Sequence, residues 1–335
     1  MGSIPSGISG SRAAAVLGIS GFDTRLAAWQ RIIEEAEPGW NTARGFLLPE
    51  REETAAMRWG TAFEDAVAKL AGKALGGRVT KREKEYRDEI TPSGAPLTCH
   101  IDGVIKGRLY EAKTASSFSF NSSWGRDRIP GYYQAQVQHN LFLTGLAEAV
   151  VVCLEFPETP EKWEAMGWYT ARAGDKWLLQ NDGAQTGATP ETWARALAEM
   201  GFFHRYEIAA DQATQTAMLD GYAKFWESVK AGKPPAPENY ADIKRLFPEP
   251  KGTLIAPPAI EMKLREYRDI AAELGGSGPQ AKRQEQLKVE ILSWARGQAA
   301  EEDDESAEKL VIRNEAGEKC GSFGKTKTGA LVFRA

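Results

Sequence analysis

Residues 149–156 read Ala-Val-Val-Val-Cys-Leu-Glu-Phe, apolar at every position but one. A run this short and rich in β-branched residues, entered just after Gly145, reads as a buried strand. A helix is predicted before it at about 132–144, led in by Pro130–Gly131. Further upstream, 78–86, 97–105 and 108–114 are short and strand-like, broken by Pro92, Gly94 and Gly107. A longer helix is predicted over 51–75, with Met57, Phe63, Val67 and Leu70 near helical spacing and Gly76–Gly77 after it. The chain starts with a short helix from Ser11 to about Leu17, a turn at Gly18–Gly21 and a helix through Trp29 and Ile33, closed by Pro38–Gly39. Trp168–Ala171 is expected as a strand beside the buried one, and 184–200 and 211–230 as helices. This mixed order predicts an α/β or α+β domain.

The segment Lys233-Pro-Pro-Ala-Pro237 is a stiff, extended linker. It suggests a domain over 1–232 and an extension over 238–335. In the extension, Ile260, Leu264, Tyr267, Ile270 and Leu274 form one helical stripe. A second starts at Leu287, Ile291, Leu292 and Trp294, so the pair reads as a helical hairpin. An acidic run, Glu301 to Glu305, is a solvated loop, and the last 27 residues alternate apolar and basic groups like a β-hairpin. The extension is expected to serve oligomer or partner contacts before DNA contact, because the acidic run would repel DNA.

Net charge is −4 over 335 residues, so any nucleic-acid surface must be a local basic patch. Cys99, Cys153 and Cys320 are far apart and match neither a disulfide framework nor a zinc or iron–sulfur site. No secretory signal and no membrane-spanning run is visible, and a reducing cytoplasm is the expected setting. There is no GxxxxGK[ST] loop and no HExxH.

The stretch with most chemistry is CHIDGVIKGRLYEAKT, residues 99–114. Two strand-like pieces meet at a tight connection near Lys106–Gly107. Positions i and i+2 of a strand share a face, so Glu111 and Lys113 project together and Asp102 can face them from the neighbouring strand. Converging carboxylates suit a hard cation such as Mg²⁺ (or Mn²⁺), and the Ala112 carbonyl is placed to add a ligand. Lys113 would then orient or help deprotonate a water and offset charge growing on phosphorus. The bland alternative is a solvated hairpin whose charged residues merely alternate.

Three features add weight. Glu64, in WGTAFEDAV, lies on a helix that could aim a third carboxylate at the metal; an exposed helical glutamate is the alternative. Tyr133 and Gln136 share a helical face after the hairpin, where Gln136 could hold the lysine or the water and Tyr133 the substrate backbone. The order of parts is helix with Glu, strand with Asp, strand with ExK, helix with Gln. In the intervening loop, Trp124, Arg126 and Arg128 could grip DNA or stack on a base, or Trp124 could anchor the loop. His100 reads as a structural or substrate-contacting histidine rather than a metal ligand, and His139 as a packing or surface group. Lys325, Lys327 and Arg334 could bind phosphates or form a solvated face.

This constellation resembles the PD-(D/E)xK nucleases, and within them the lambda exonuclease and YqaJ-type viral recombinase nucleases. The matching pieces are ISGSRAAAVLG, RWGTAFEDA, HIDGVI, YEAKT and PGYYQAQVQHNLFLTG, spanning about 8–145, with DIKRLFPE and the tail following more loosely. The resemblance implies a mixed central sheet flanked by helices and active-site roles for Glu64, Asp102, Glu111, Lys113 and Gln136, with Tyr133 on the accompanying tyrosine. It also implies Ser11 near a 5′-phosphate pocket and two divalent ions. The activity implied is processive 5′→3′ digestion of one strand at double-stranded DNA ends by a ring-shaped homo-oligomer, often a trimer. A departure is the lack of an arginine in Met1–Gly7, for which Arg12 or Arg25 would substitute. The function expected is end resection that leaves a strand for a single-strand annealing recombinase. An endonuclease of the same fold class and a non-catalytic DNA-binding scaffold are the alternatives.

Overall fold

The computed structural model describes residues 7–48, 53–89, 91–125, 127–273, 278–299 and 309–335. By compactness these fall into two units: 7–22 with 53–227, the N-terminal unit, and 23–48 with 228–335, the C-terminal unit.

The chain opens with β1 (Ile8–Ser9), a 3-10 turn (Gly10–Arg12) and α1 (Ala13–Val16). Then α2 (Arg25–Ala36) and α3 (Trp40–Ala43) belong to the C-terminal unit. Back in the N-terminal unit come α4 (Ala55–Leu75), β2 (Lys84–Asp88), β3 (Leu97–Ile101), β4 (Gly103–Ile105) and β5 (Arg108–Ser116). They are followed by α5 (Ser117–Ser123), α6 (Gly131–Thr144), β6 (Glu148–Phe156), α7 (Pro160–Ala165), β7 (Trp168–Ala173), β8 (Lys176–Asn181) and β9 (Ala184–Gln185). The last of this series are α8 (Pro190–Glu199), β10 (Phe203–Ala209) and α9 (Gln212–Lys230), within which the division into units falls. Helix α4 starts where the Thr54 side chain accepts a hydrogen bond from the Met57 N–H and stops where Gly76 turns left-handed.

The central sheet has the order β10-β6-β5-β4, with β5 and β6 parallel and the outer pairs antiparallel. Apolar β6 explains its own place. Val150, Val152, Leu154 and Phe156 pack against Trp59 and Phe63 of α4 and Leu197 of α8, while Val151 and Cys153 pack against Val137 and Leu141 of α6. A strand apolar on both faces needs a helix layer on each, and the result is an α/β/α sandwich. A second sheet, β1-β3-β2, ends where β3 hands the chain to β4 at Asp102.

Two sequence expectations change. The strand over Trp168–Ala171 forms, but in a separate β7-β8-β9 sheet, because both edges of β6 are taken by β5 and β10. Only 190–199 of the expected 184–200 helix is helical. Pro190 and the Thr189 capping box set its start, and 184–185 pair as a strand.

The C-terminal unit adds α10 (Tyr240–Leu246), β11 (Gly252–Ile255), α11 (Pro258–Glu273), α12 (Pro279–Ala299), β12 (Leu310–Arg313), β13 (Lys319–Lys325) and β14 (Leu331–Arg334). The expected tail hairpin is three antiparallel strands with β11 added in parallel, giving the order β11-β12-β13-β14. Leu264 of α11 and Ile291 and Leu292 of α12 close over Leu310, Ile312 and Phe323, all fully buried. The turn between the two helices, including Gly275, and the acidic run 301–305 lie outside the described residues.

Candidate active site

Strand β4 is short, and its shortness makes the site. It pairs with β5 only from Gly103 opposite Tyr110 to Ile105 opposite Arg108. Beyond that register β5 has lost its partner, and Asp102 takes over: its Oδ2 accepts a hydrogen bond from the Ala112 N–H at 2.7 Å. Asp102 therefore sits at the break between strands rather than within one, as the sequence had suggested. The N–H and C=O of one strand residue point the same way, so the Ala112 carbonyl also faces the Asp102 side.

Glu111 and Lys113 share the α6 face of β5, opposite Val151 and Cys153 in register. Glu111 is 1% exposed, and three donors converge on it. Lys113 Nζ lies 2.6 Å and Gln136 Nε2 2.7 Å from Oε1, while Asn140 Nδ2 reaches Oε2 at 3.3 Å. Burial, and secondarily the Asp102 carboxylate, push the Glu111 carboxyl up to about 7, against the opposing pull of Lys113. For Lys113, burial would lower the ammonium, but Glu111 and Asp102 outweigh it and hold the group charged, above its usual value. Below it, the Tyr133 ring centroid is 5.0 Å from Nζ.

Asn140 was not singled out in the sequence, although its spacing was available: it is four residues from Gln136, on the same helical face. Its Oδ1 has no hydrogen-bond partner, and a Cβ at Gly10 would come within 2.3 Å of that oxygen. A glycine at position 10 thus lets the ISGS segment lie directly on α6. Ser11, next to it, is exposed and its Oγ is 3.1 Å from Ser9 Oγ.

Glu64 behaves differently. It lies on α4, which covers the sheet face carrying Tyr110, opposite to the face of Glu111. Burial raises its carboxyl, with Asp102 adding to the rise and Arg82 opposing it. Arg82, another residue that sequence reasoning passed over, forks between Glu64 and Asp65 as a double ion pair. Among the described residues no three His, Cys, Asp or Glu side chains cluster tightly enough to hold a metal by themselves. Asp102, Glu111 and the Ala112 carbonyl would offer a hard cation an all-oxygen donor set, and such a cation would relieve the repulsion that Asp102 exerts on Glu111.

The loop residues divide. Trp124 is 6% exposed, stacked on Phe120 and tilted against Tyr133 and Tyr206, so it anchors the loop and offers no face to a base. Arg128 is exposed and folds over Gly125, and Arg126 lies outside the described residues. Arg25 is ion-paired to Glu238 at 2.7 Å within the C-terminal unit. His139 is buried between Tyr222 Oη at 3.0 Å and the Thr98 carbonyl at 2.9 Å, a packing group; His100 is exposed.

An α/β/α sheet with Asp102 facing an ExK strand and a Gln helix behind it has the layout of a PD-(D/E)xK core. Residues 5–147 match the family model of the YqaJ-like viral recombinase domain. Among solved structures it is similar to an alkaline exonuclease, LHK-Exo, from Laribacter hongkongensis, at 16% identity over 67% of this chain and 88% of that one, with a TM-score of 0.44. A phage-related exonuclease from Haemophilus somnus 129PT is similar at 13% identity over 68% of this chain and 96% of that one, with a TM-score of 0.41. No curated relative matches. No helix among the described residues is long and apolar enough to cross a membrane.

Proposed function

We propose that the chain is a divalent-metal-dependent exonuclease that degrades one strand of linear double-stranded DNA, 5′→3′, at ends destined for recombination. The observation that carries this reading is the pairing of Asp102 with the Glu111–Lys113 couple, held from behind by Gln136. The match to a viral recombinase domain supports the recombination setting.

Asp102, Glu111 and the Ala112 carbonyl would hold Mg²⁺ or Mn²⁺, with Glu64 completing the shell directly or through water. When bound, two such ions supply an activated water and charge for the leaving oxygen. Lys113, kept protonated by its carboxylate neighbours, supports a cationic role. It offsets charge growing on the phosphoryl oxygens and leaves proton removal to other groups. Gln136 fixes the Glu111 carboxylate from α6, and Tyr133 fixes Lys113 from below. Ser11 and Arg12, beside α6 at the start of the chain, are the groups for a terminal 5′-phosphate. A ring-shaped homo-oligomer, a single-strand annealing partner and a cytoplasmic location belong to the same reading.

The test uses linear and closed-circular duplex DNA labelled at either 5′ or 3′ ends, with Mg²⁺ or with EDTA. Mg²⁺-dependent loss of linear DNA alone, with early release of the 5′ label, is the expected result. Cutting of the circle would reassign the protein to endonucleases. Lys113→Ala is expected to abolish cleavage while retained DNA binding is read by gel shift; cleavage near the wild-type rate overturns the site assignment.

A further inference from the structure

The chain carries net negative charge, yet one cleft in its C-terminal unit is rimmed by cations. The cleft, of about 340 Å³, lies along β13 and β14 and is lined by Arg268, Lys309, Lys319, Lys325 and Arg334, with no Asp or Glu side chain in its lining. Lys325 is paired with Glu249 at 3.1 Å, and Arg268 Nε donates to the Leu264 carbonyl of its own helix at 3.3 Å. Lys309, Lys319 and Arg334 are exposed and have no ion-pair partner among the described residues.

A Cβ at Gly324 would come within 2.6 Å of Lys309 Cβ, and one at Gly321 within 3.3 Å of the Arg334 carbonyl. The glycines let β13 pass close to the backbone of Arg334 and the side chain of Lys309, and Cys320, Ser322, Thr326 and Val332 complete the lining between the cations. Ser322, between the two glycines, lies directly across the ladder from Arg334. Like charges gathered round a concavity repel one another and focus a positive potential there, which an anion would relieve.

We propose that this cleft binds the phosphodiester backbone of DNA, as a second site apart from the one that holds Asp102 and Glu111. The assignment rests on the exonuclease reading for its choice of anion: a chain that acts on DNA has one abundant polyanion at hand. A cleft rimmed by Lys and Arg side chains, with small residues such as Ser322 and Thr326 between them, suits phosphates, whose contacts position a nucleic acid without reading its bases. The acidic run 301–305 opposes this attraction by proximity in sequence, and a salt-dependence measurement reads the net of the two.

The experiment uses the full chain in EDTA, with fluorescein-labelled single-stranded and duplex oligonucleotides followed by anisotropy across a salt series. The triple variant Lys309→Ala, Lys319→Ala, Arg334→Ala is compared with the wild type and with Lys309→Arg, Lys319→Arg, Arg334→Lys. Each lost phosphate contact flattens the log K against log salt slope by about 0.9 on duplex, so the alanine variant should lose about 2.7, and about 2 on single strands. The charge-conserving variant should keep the wild-type slope. An unchanged slope in the alanine variant overturns the cleft, as does an equal loss in both variants. Loss of binding to a polyglutamate peptide with DNA binding intact also overturns it, in favour of an acidic protein partner. A wild type that neither binds nor cuts DNA fails the exonuclease reading itself, whereas one that cuts DNA with an unchanged variant slope fails only the cleft.

Discussion

Replacing Gln136 with Met tests the site at the point where α6 meets β5. The substitution keeps the length of the side chain and removes the donor that lies 2.7 Å from Glu111 Oε1. Glu111 is 1% exposed, so no water stands ready to take over the bond. A hydrogen bond to a buried charged group is worth about 1.5–3 kcal/mol, and losing it leaves the carboxylate held by Lys113 and Asn140 alone. At about 1.4 kcal/mol per factor of ten, the rate should fall roughly 10- to 150-fold. The companion variant Asn140→Leu removes a longer bond, 3.3 Å to Oε2, and should cost about 1 kcal/mol, roughly fivefold. Initial rates on end-labelled linear duplex supply the first readout. Urea unfolding in EDTA supplies a second, because the carboxylate loses its donor whether or not metal is present. Rates for Gln136→Met within threefold of wild type, or an Asn140→Leu defect as large as that of Gln136→Met, would refute the reasoning that Glu111 is positioned mainly from α6 through Gln136.

Three further outcomes follow from the structure. Burial pushes His139 down to about 4 from a usual value of 6.5, so it is neutral in the fold while the unfolded chain takes up a proton. That stability is full above pH 6.5 and is lost as pH falls towards about 4, by roughly 3 kcal/mol; urea midpoints of His139→Gln should lack this fall, and parallel curves would exclude His139 as its source. Arg82→Ala frees Glu64, and calorimetric titration with Mn²⁺ should then show tighter binding by roughly fivefold, about 1 kcal/mol after discounting for the partial exposure of both groups; weaker binding would mean that Arg82 helps to build the site. Trp124→Ala should cost about 3–5 kcal/mol in unfolding with DNA affinity little changed at temperatures where the variant is folded, and a selective loss of affinity would restore a stacking role.

Much of this protein is written locally. The two-sided apolarity of 149–156 demanded a covered strand, and the i, i+2 relation put the Glu111 carboxylate and the Lys113 ammonium on one face, where they meet at 2.6 Å. The Gly76 stop bounded the end of α4, whose start lies at the Thr54 cap rather than at 51, and the helical spacing of Tyr133 and Gln136 set both beneath the couple. These features depend on neighbours a few residues apart, which is why periodicity and capping rules reach them. What lay beyond reach depends on which distant segments become neighbours. The hydrogen bond from Ala112 N–H to Asp102 exists because β4 stops pairing after Gly103, and no local pattern announces where a ladder ends. Arg82 meets Glu64 and Asp65 across a loop, and Trp124 is buried because Phe120, Tyr133 and Tyr206 converge on it. The packing of 23–48 with 228–335, and the gathering of Arg268, Lys309, Lys319 and Arg334 round one cleft, likewise join residues far apart in the chain. Sequence alone determined the buried strand β6, the helices α4 and α6 and the chemistry that the Asp102 and ExK strands could carry, because those rest on short-range sterics and periodicity. Tertiary structure alone decided which carboxylate is buried, which cation answers it and which charges are left without a partner, because desolvation and Coulomb energies depend on distance in space.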